Sequence, residues 1–271
     1  MKIAVTGAVG RVGSAVVELA EGEGHDVVAI DRTARGGRSD RVVNVDLNDY
    51  PAVVDAFTGC DAVIHLAAFS GPESAEDHIV HDNNVVASYH AMRGAIQAGV
   101  TRICQASSIN AIGGRFSRDP RYDYFPVDED HPTYAEDPYS LSKWVCEQQA
   151  DALARRFESV SIASLRLHGI VDERADATAW RASEDIVRRQ LWGYTLRSAA
   201  ARAFLLGVTA PFVGHEAFYV VAPETMADRP SEPLADEHYP GVPLRHPLEG
   251  NAGFFDTSKA AAILGWSHDE T

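Results

Sequence analysis

The sequence predicts an α/β fold, a doubly wound parallel sheet with a small C-terminal substrate-binding subdomain. Three observations carry this. A glycine turn, Thr6-Gly7-Ala8-Val9-Gly10-Arg11-Val12-Gly13, directly follows the first apolar run. Short apolar runs then alternate with helix-periodic stretches, the pattern of a parallel sheet covered by helices on both faces. The second run ends in Asp31, 18 residues beyond Gly13.

In chain order, residues 2–6 form the first strand, and a helix follows with Val12, Val16, Val17 and Leu19 on one side and Gly24 near its end. In the strand–turn–helix setting, Gly7 permits the tight turn and Gly10 lets backbone approach a pyrophosphate. Gly13 lets helix and strand pack closely, and the helix N-terminus, with Arg11 and Val12, turns free N–H groups toward phosphates. Strand two, Asp26–Asp31, ends in a carboxylate placed to accept hydrogen bonds from an adenosine ribose and to repel a 2′-phosphate. NAD is therefore expected, and neighbouring Arg32 keeps NADP open.

A third strand is predicted over Arg41–Val45, ending at Asp46-Leu47, and a fourth over Asp61–His65, ending at Leu66-Ala67-Ala68, small enough for a flat cofactor. Residues 77–99 read as a helix with Asn84 turned inward. The fifth strand, Arg102–Ala106, ends at Ser107-Ser108. Residues 114–137 are a polar insertion whose five aromatics, Phe116, Tyr122, Tyr124, Phe125 and Tyr134, argue for an ordered lid or site wall. A helix from about 137 to 156, a sixth strand at 160–165 and the strand end Arg166-Leu167-His168-Gly169 follow. The last third suggests a helix at 196–206, a strand at 217–221, Pro-rich loops from 223 to 247 and a short closing helix capped by Gly265. The expected division is a dinucleotide-binding Rossmann core over 1–165 and a mainly substrate-binding part over 166–271, interleaved with the end of the sheet.

A formal net charge of -15 over 271 residues argues against nucleic acid and anionic membrane surfaces. An anionic small molecule in a local basic pocket stays open. No apolar run approaches the roughly 20 residues of a membrane span. Cys60, Cys104 and Cys146 are too few and scattered for a disulfide framework or a zinc site, so free buried thiols and no metal are expected. With Lys2–Val5 entering a strand and no leader ahead of it, the expected location is the cytoplasm.

Tyr139 and Lys143, four apart at the start of a helix, share one face. A close ammonium favours the phenolate, lowering a pKa that is ordinarily near ~10. Alone, such a pair reads as packing plus a solvated lysine. Together with the glycine turn, Asp31, Asp46-Leu47, His65-Leu66-Ala67-Ala68, Asn84-Val85, Ser107-Ser108 and the closing DTSKAAAILGW, the chain resembles the extended short-chain dehydrogenase/reductases, the NAD-dependent epimerase/dehydratase family.

The resemblance implies a catalytic set of Ser108, Tyr139 and Lys143. Tyr139 is the acid/base, Lys143 binds the nicotinamide ribose, and Ser108 holds the substrate oxygen. It implies cofactor contacts from the glycine turn, Asp31, Arg32, Asp46, Leu47, Leu66, Ala67, Ala68, Asn84, Ala106 and His168. Members acting on nucleotide sugars place an amide on the diphosphate in Arg-x-x-Asn. Here Gly169 stands at that place, and the chain is short for such an enzyme.

Uronate dehydrogenases resemble it more closely in layout, with Ser70, Asn110, Gly169 and Arg174 as substrate contacts and Arg174 as a carboxylate partner. The expectation is an NAD(P)-dependent oxidoreductase of a free sugar or sugar acid. A nucleotide-sugar epimerase, less readily a dehydratase, would use the same residues, and a non-catalytic NAD sensor is the reading from another class. The family also implies a homodimer through the helices at 77–99 and 137–156.

Overall fold

In β1 (Lys2–Thr6), Ile3 and Val5 enter one buried cluster and Ala4 the other. This is the consequence of side chains alternating across a pleated strand. The computed structural model describes residues 1–32 and 42–269; Arg41, expected at the head of the third strand, lies outside them.

The elements that follow β1 are α1 (Arg11–Gly22), β2 (Asp26–Asp31), β3 (Val42–Asn44), α2 (Tyr50–Phe57) and β4 (Ala62–His65). Then come α3 (Asp77–Gln97), β5 (Arg102–Ser108), α4 (Pro138–Arg156) and β6 (Ser161–Leu167). The last third adds β7 (Ile170–Val171), α5 (Arg174–Thr178), α6 (Glu184–Arg189), β8 (Thr195–Leu196), α7 (Arg197–Thr209), β9 (Gly214–Val220) and α8 (Ser231–His238).

Seven strands form one sheet in the order β3-β2-β1-β4-β5-β6-β9, every neighbouring pair parallel. The predicted doubly wound sheet is what forms. Strand order runs outward one way from β1 and the other way from β4, so a crevice opens where their carboxyl ends diverge. Val53, Phe57, Ala91 and Met92 cover one face, and Val16, Val17, Phe204 and Val208 the other.

Several bounds differ from expectation. β5 runs on to Ser108 because its register with β6 continues to the Ser108–Leu167 pair. β9 begins at Gly214 because pairing with β6 starts there. The unanticipated α2 is capped by Asp49, whose carboxylate accepts the Ala52 N–H, with Pro51 in its first turn. The closing segment is a π-helical turn, Ala260–Leu264, ending on Gly265 in the left-handed conformation.

The 114–137 insertion has no long element, yet it is built into the fold. Phe125 is wholly buried and packs edge-on against Tyr239 and Phe254. Backbone bonds from Phe125 to Pro243 and from Val127 to Phe254 strap it to the C-terminal segment. Cys60, Cys104 and Cys146 are buried and free. Among the described residues no helix is long and apolar enough to cross a membrane.

Candidate active site

Two lobes, of about 470 and 340 Å³, share Gly7, Gly10, Leu66, Ala68 and Phe69 and form one crevice along the carboxyl ends of β1, β4, β5 and β6. Glycines set its floor. Gly7 has φ +69°, and a Cβ there would lie 2.7 Å from the Ala67 nitrogen. A Cβ at Gly13 would lie 2.1 Å from the Gly7 carbonyl oxygen, so no other residue lets α1 sit this close to the turn. Gly10 caps α1 without a side-chain acceptor, leaving the first-turn N–H groups of Arg11, Val12 and Gly13 for a ligand. Arg11 lies over this end, its guanidinium 3.0 Å from Asp172.

Buried Thr6 ties the turn to β4. Its hydroxyl bonds His65 Nδ1 at 2.8 Å and accepts the Leu66 and Ala67 N–H groups. Burial, then the Lys143 charge, pulls the His65 pKa down to about 3, so the ring is neutral. The Asp31 carboxylate accepts the Val9 N–H at 3.2 Å and lines the smaller lobe with Arg32, Asp46, Leu47 and Ala67. Hydrogen bonds from Asn48 hold the Asp46 carboxyl below its ordinary range. Asn84 lines neither lobe. It is buried behind Phe69, bonding that residue's N–H and carbonyl and Ser142 Oγ, so it fixes the crevice wall from behind.

Asp137 caps α4 by accepting the Tyr139 and Ser140 N–H groups, with Pro138 at the first position. That cap sets Tyr139 into the larger lobe, and one turn later Lys143 follows. Lys143 Nζ donates to the Ala106 carbonyl at 2.8 Å and lies 5.7 Å from the centre of the Tyr139 ring. Ser108 Oγ accepts from the backbone N–H and side-chain amide of Asn110 at 3.1 and 3.2 Å. With both acceptor directions in use, its proton is what remains to offer.

The Tyr139 pKa is raised, against the lowering by Lys143 that the four-residue spacing predicts. Burial dominates and pushes the phenol up to about 12. The opposing pulls come from the Ser108 hydrogen bond and the Arg115 charge. Lys143 is itself buried, which depresses its own pKa, and its ammonium is committed to Ala106.

His168 is buried, with Nε2 bonded to the Gln190 carbonyl and Nδ1 accepting the Gly169 N–H. Burial takes its pKa down to about 4, so it is a neutral wall residue. Ser70, Ser108, Ala106, Asn110 and Gly169 line the larger lobe. Arg174 does not. It is bonded to Glu224 at 3.1 Å and to the Thr225 carbonyl, because α5 turns it toward the β9–α8 connection.

Phe116, one of the aromatics read as a lid or site wall, lines this lobe, and so do Arg115 and Gln190, which the sequence did not single out. Sequence reasoning also missed Glu147, which bonds Arg166 and Ser107 beneath this lobe. The four-residue spacing of Lys143 and Glu147 along α4 was a signal for the latter. Arg115 lies in an insertion without periodicity, which offered none.

A profile of the NAD-dependent epimerase/dehydratase family matches residues 3–186. The chain belongs to that family. Among relatives of this epimerase/dehydratase member, a putative UDP-glucose 4-epimerase of Methanocaldococcus jannaschii is 30% identical over 182 residues, 64% of this chain and 57% of that protein. An L-arabinose 1-dehydrogenase (NAD(P)(+)) of Haloferax volcanii is 40% identical over 107 residues, 40% of this chain and 41% of its own length. The matched stretches thus span about half of these curated relatives.

A UDP-glucose 4-epimerase of Thermotoga maritima superposes with TM-score 0.75 at 20% identity, covering 100% of this chain and 94% of that one. A mutated uronate dehydrogenase superposes with TM-score 0.68 at 22% identity, covering 100% and 82%. These likenesses share the fold.

Proposed function

We propose that this family member is an NAD-dependent dehydrogenase of a small polar substrate, a free sugar or sugar acid. The observation that carries the choice of substrate size is at the end of β6. Gly169 has no side chain, and a Cβ there would meet Trp180 Cη2 at 2.7 Å. The crevice therefore has a bare backbone backed by an indole where a nucleotide-linked substrate would need a polar anchor.

The residues present fit NAD. The glycine turn and uncapped α1 N-terminus suit a pyrophosphate, and Asp31 suits the hydroxyls of an adenosine ribose. NAD, when bound, supplies the hydride acceptor. Tyr139 takes the proton from the substrate hydroxyl as its carbon becomes a carbonyl, and returns it in the reverse direction. Ser108 donates a hydrogen bond to the same oxygen. Lys143 holds the nicotinamide ribose beside Tyr139. Proton transfer of this kind is worth about 10²–10⁴-fold.

The test is absorbance of NADH with purified protein and NAD against free aldoses, uronates and nucleotide sugars, with NADP in parallel. Net NADH from free sugars, lost in Tyr139→Phe, is expected; none from any of them overturns the reading. The likeness to UDP-glucose 4-epimerases favours a second reading, an epimerase with the same residues. It would show a retained cofactor and turnover of a nucleotide sugar with no net absorbance change.

A further inference from the structure

The insertion contributes one charge to the crevice that neither the dinucleotide-binding groups nor the proton-transfer groups use. We propose that Arg115 anchors the substrate, its guanidinium holding a carboxylate or phosphate oxyanion of the sugar that lies against Ser108 and Tyr139. This rests on the dehydrogenase reading above and names its substrate class.

The first observation is charge. The charged side chains lining the larger lobe are Arg11, Arg115 and Lys143, with no Asp or Glu among its described lining residues. The chain as a whole carries -15. A cleft whose sign opposes that of the protein concentrates ligands of the protein's own sign. Arg11 is bonded to Asp172 and Lys143 to the Ala106 carbonyl. The guanidinium of Arg115, among the described residues, has neither a carboxylate nor a carbonyl on it. Its contact is the face of Phe116, 5.2 Å from the ring centre.

The second observation is placement. The Arg115 N–H is held by Asn110 Oδ1 at 3.1 Å, and the same amide donates to Ser108 Oγ. Phe116, under the guanidinium, stands edge-on to Tyr139 with ring centres 5.8 Å apart. Arg115 is thus tied through one residue to each of the two groups that meet the substrate oxygen. Its charge is felt by both Tyr139 and His168. A planar fork of donors suits a two-oxygen anion. Arg174, the other guanidinium considered for such a role, is engaged by Glu224 outside the crevice.

The experiment is calorimetric titration of the NAD-loaded protein with galacturonate, glucose 6-phosphate and galactose, for the wild type, Arg115→Gln and Arg115→Lys. One anion should bind more tightly than galactose. Arg115→Gln should weaken that anion about 10- to 100-fold, as expected for charge-assisted hydrogen bonds, and Arg115→Lys should restore part of the loss. In turnover assays the loss should fall on KM more than on kcat. Preference for galacturonate identifies a carboxylate, preference for glucose 6-phosphate a phosphate. No measurable anion binding, or an anion affinity that Arg115→Gln leaves within about twofold, overturns the assignment. Arg115-dependent binding without NADH from any sugar leaves the anchor standing and overturns the dehydrogenase reading instead.

Discussion

Arg166 and Glu147 meet as a two-bond pair in the interior, Nε on Oε1 at 3.0 Å and Nη2 on Oε2 at 2.8 Å. The pair braces the Ser107–Lys143 side of the crevice. Ser107, the neighbour of Ser108, donates to Glu147 at 2.5 Å, and Glu147 lies one helical turn beyond Lys143. Arg166 also reaches the Glu129 carbonyl and Tyr219 Oη, joining the insertion to β9.

Removing one partner leaves the other charged and buried, which typically costs about 3–5 kcal/mol. Arg166→Met should therefore lower the urea midpoint sharply. The double variant Arg166→Met/Glu147→Met should recover much of that loss, since neither charge is then stranded. A double variant as unstable as the single one would show that hydrogen bonds to Ser107 and Glu129 matter more than the charge pair.

Tyr139 is held protonated by burial, its pKa pushed up to about 12. In the proposed oxidation Tyr139 acts as base only after losing that proton, and below its pKa the phenolate fraction falls tenfold per pH unit. The rate constant kcat/KM for oxidation should therefore climb between pH 7 and 10, and Tyr139→Phe should give a flat profile at about 10²–10⁴-fold lower rate. A wild-type profile that is flat over this range would remove Tyr139 from the proton-transfer role.

His65 and His168 have folded-state values depressed to about 3 and about 4 by burial. Unfolded, they bind protons near ~6.5. Their contribution to stability is thus whole above that value and is lost as pH falls toward the folded values. At pH 5 each should have given up about 2 kcal/mol. Denaturant unfolding at pH 7 and pH 5 measures this, and His65→Gln should shrink the difference. An unchanged difference in that variant would assign the acid sensitivity to other groups.

Gly169→Ala places a methyl group 2.7 Å from Trp180 Cη2, inside contact distance. The indole must move, at a cost of about 1–3 kcal/mol for overpacking, and tryptophan emission should shift. In a Trp180→Phe background the shift should vanish. Persistence of the shift there would assign it to Trp192 or another indole.

Local rules made much of this fold readable. Gly7, Gly10 and Gly13 are spaced for a turn that later shows a positive φ and near-contact of backbones. β1 and β4 are short apolar runs bounded by turn residues and buried almost throughout, so their hydrophobicity is continuous. Short helices such as α2 and α6 were missed, since eight or six residues carry little periodicity.

The sequence by itself determined the doubly wound sheet, the dinucleotide turn, and the pairing of Tyr139 with Lys143 on one helical face. Each depends on spacing within a single element or across one turn. Only the tertiary structure decided that Arg115 lines the larger lobe and that Arg174 does not. It also decided that Asn84 braces the wall from behind and that Trp180 fills the space over Gly169. Those outcomes depend on where loops and distant segments meet. Burial, which reverses the expected direction of the Tyr139 pKa, is likewise a property of the packed interior and not of a four-residue spacing.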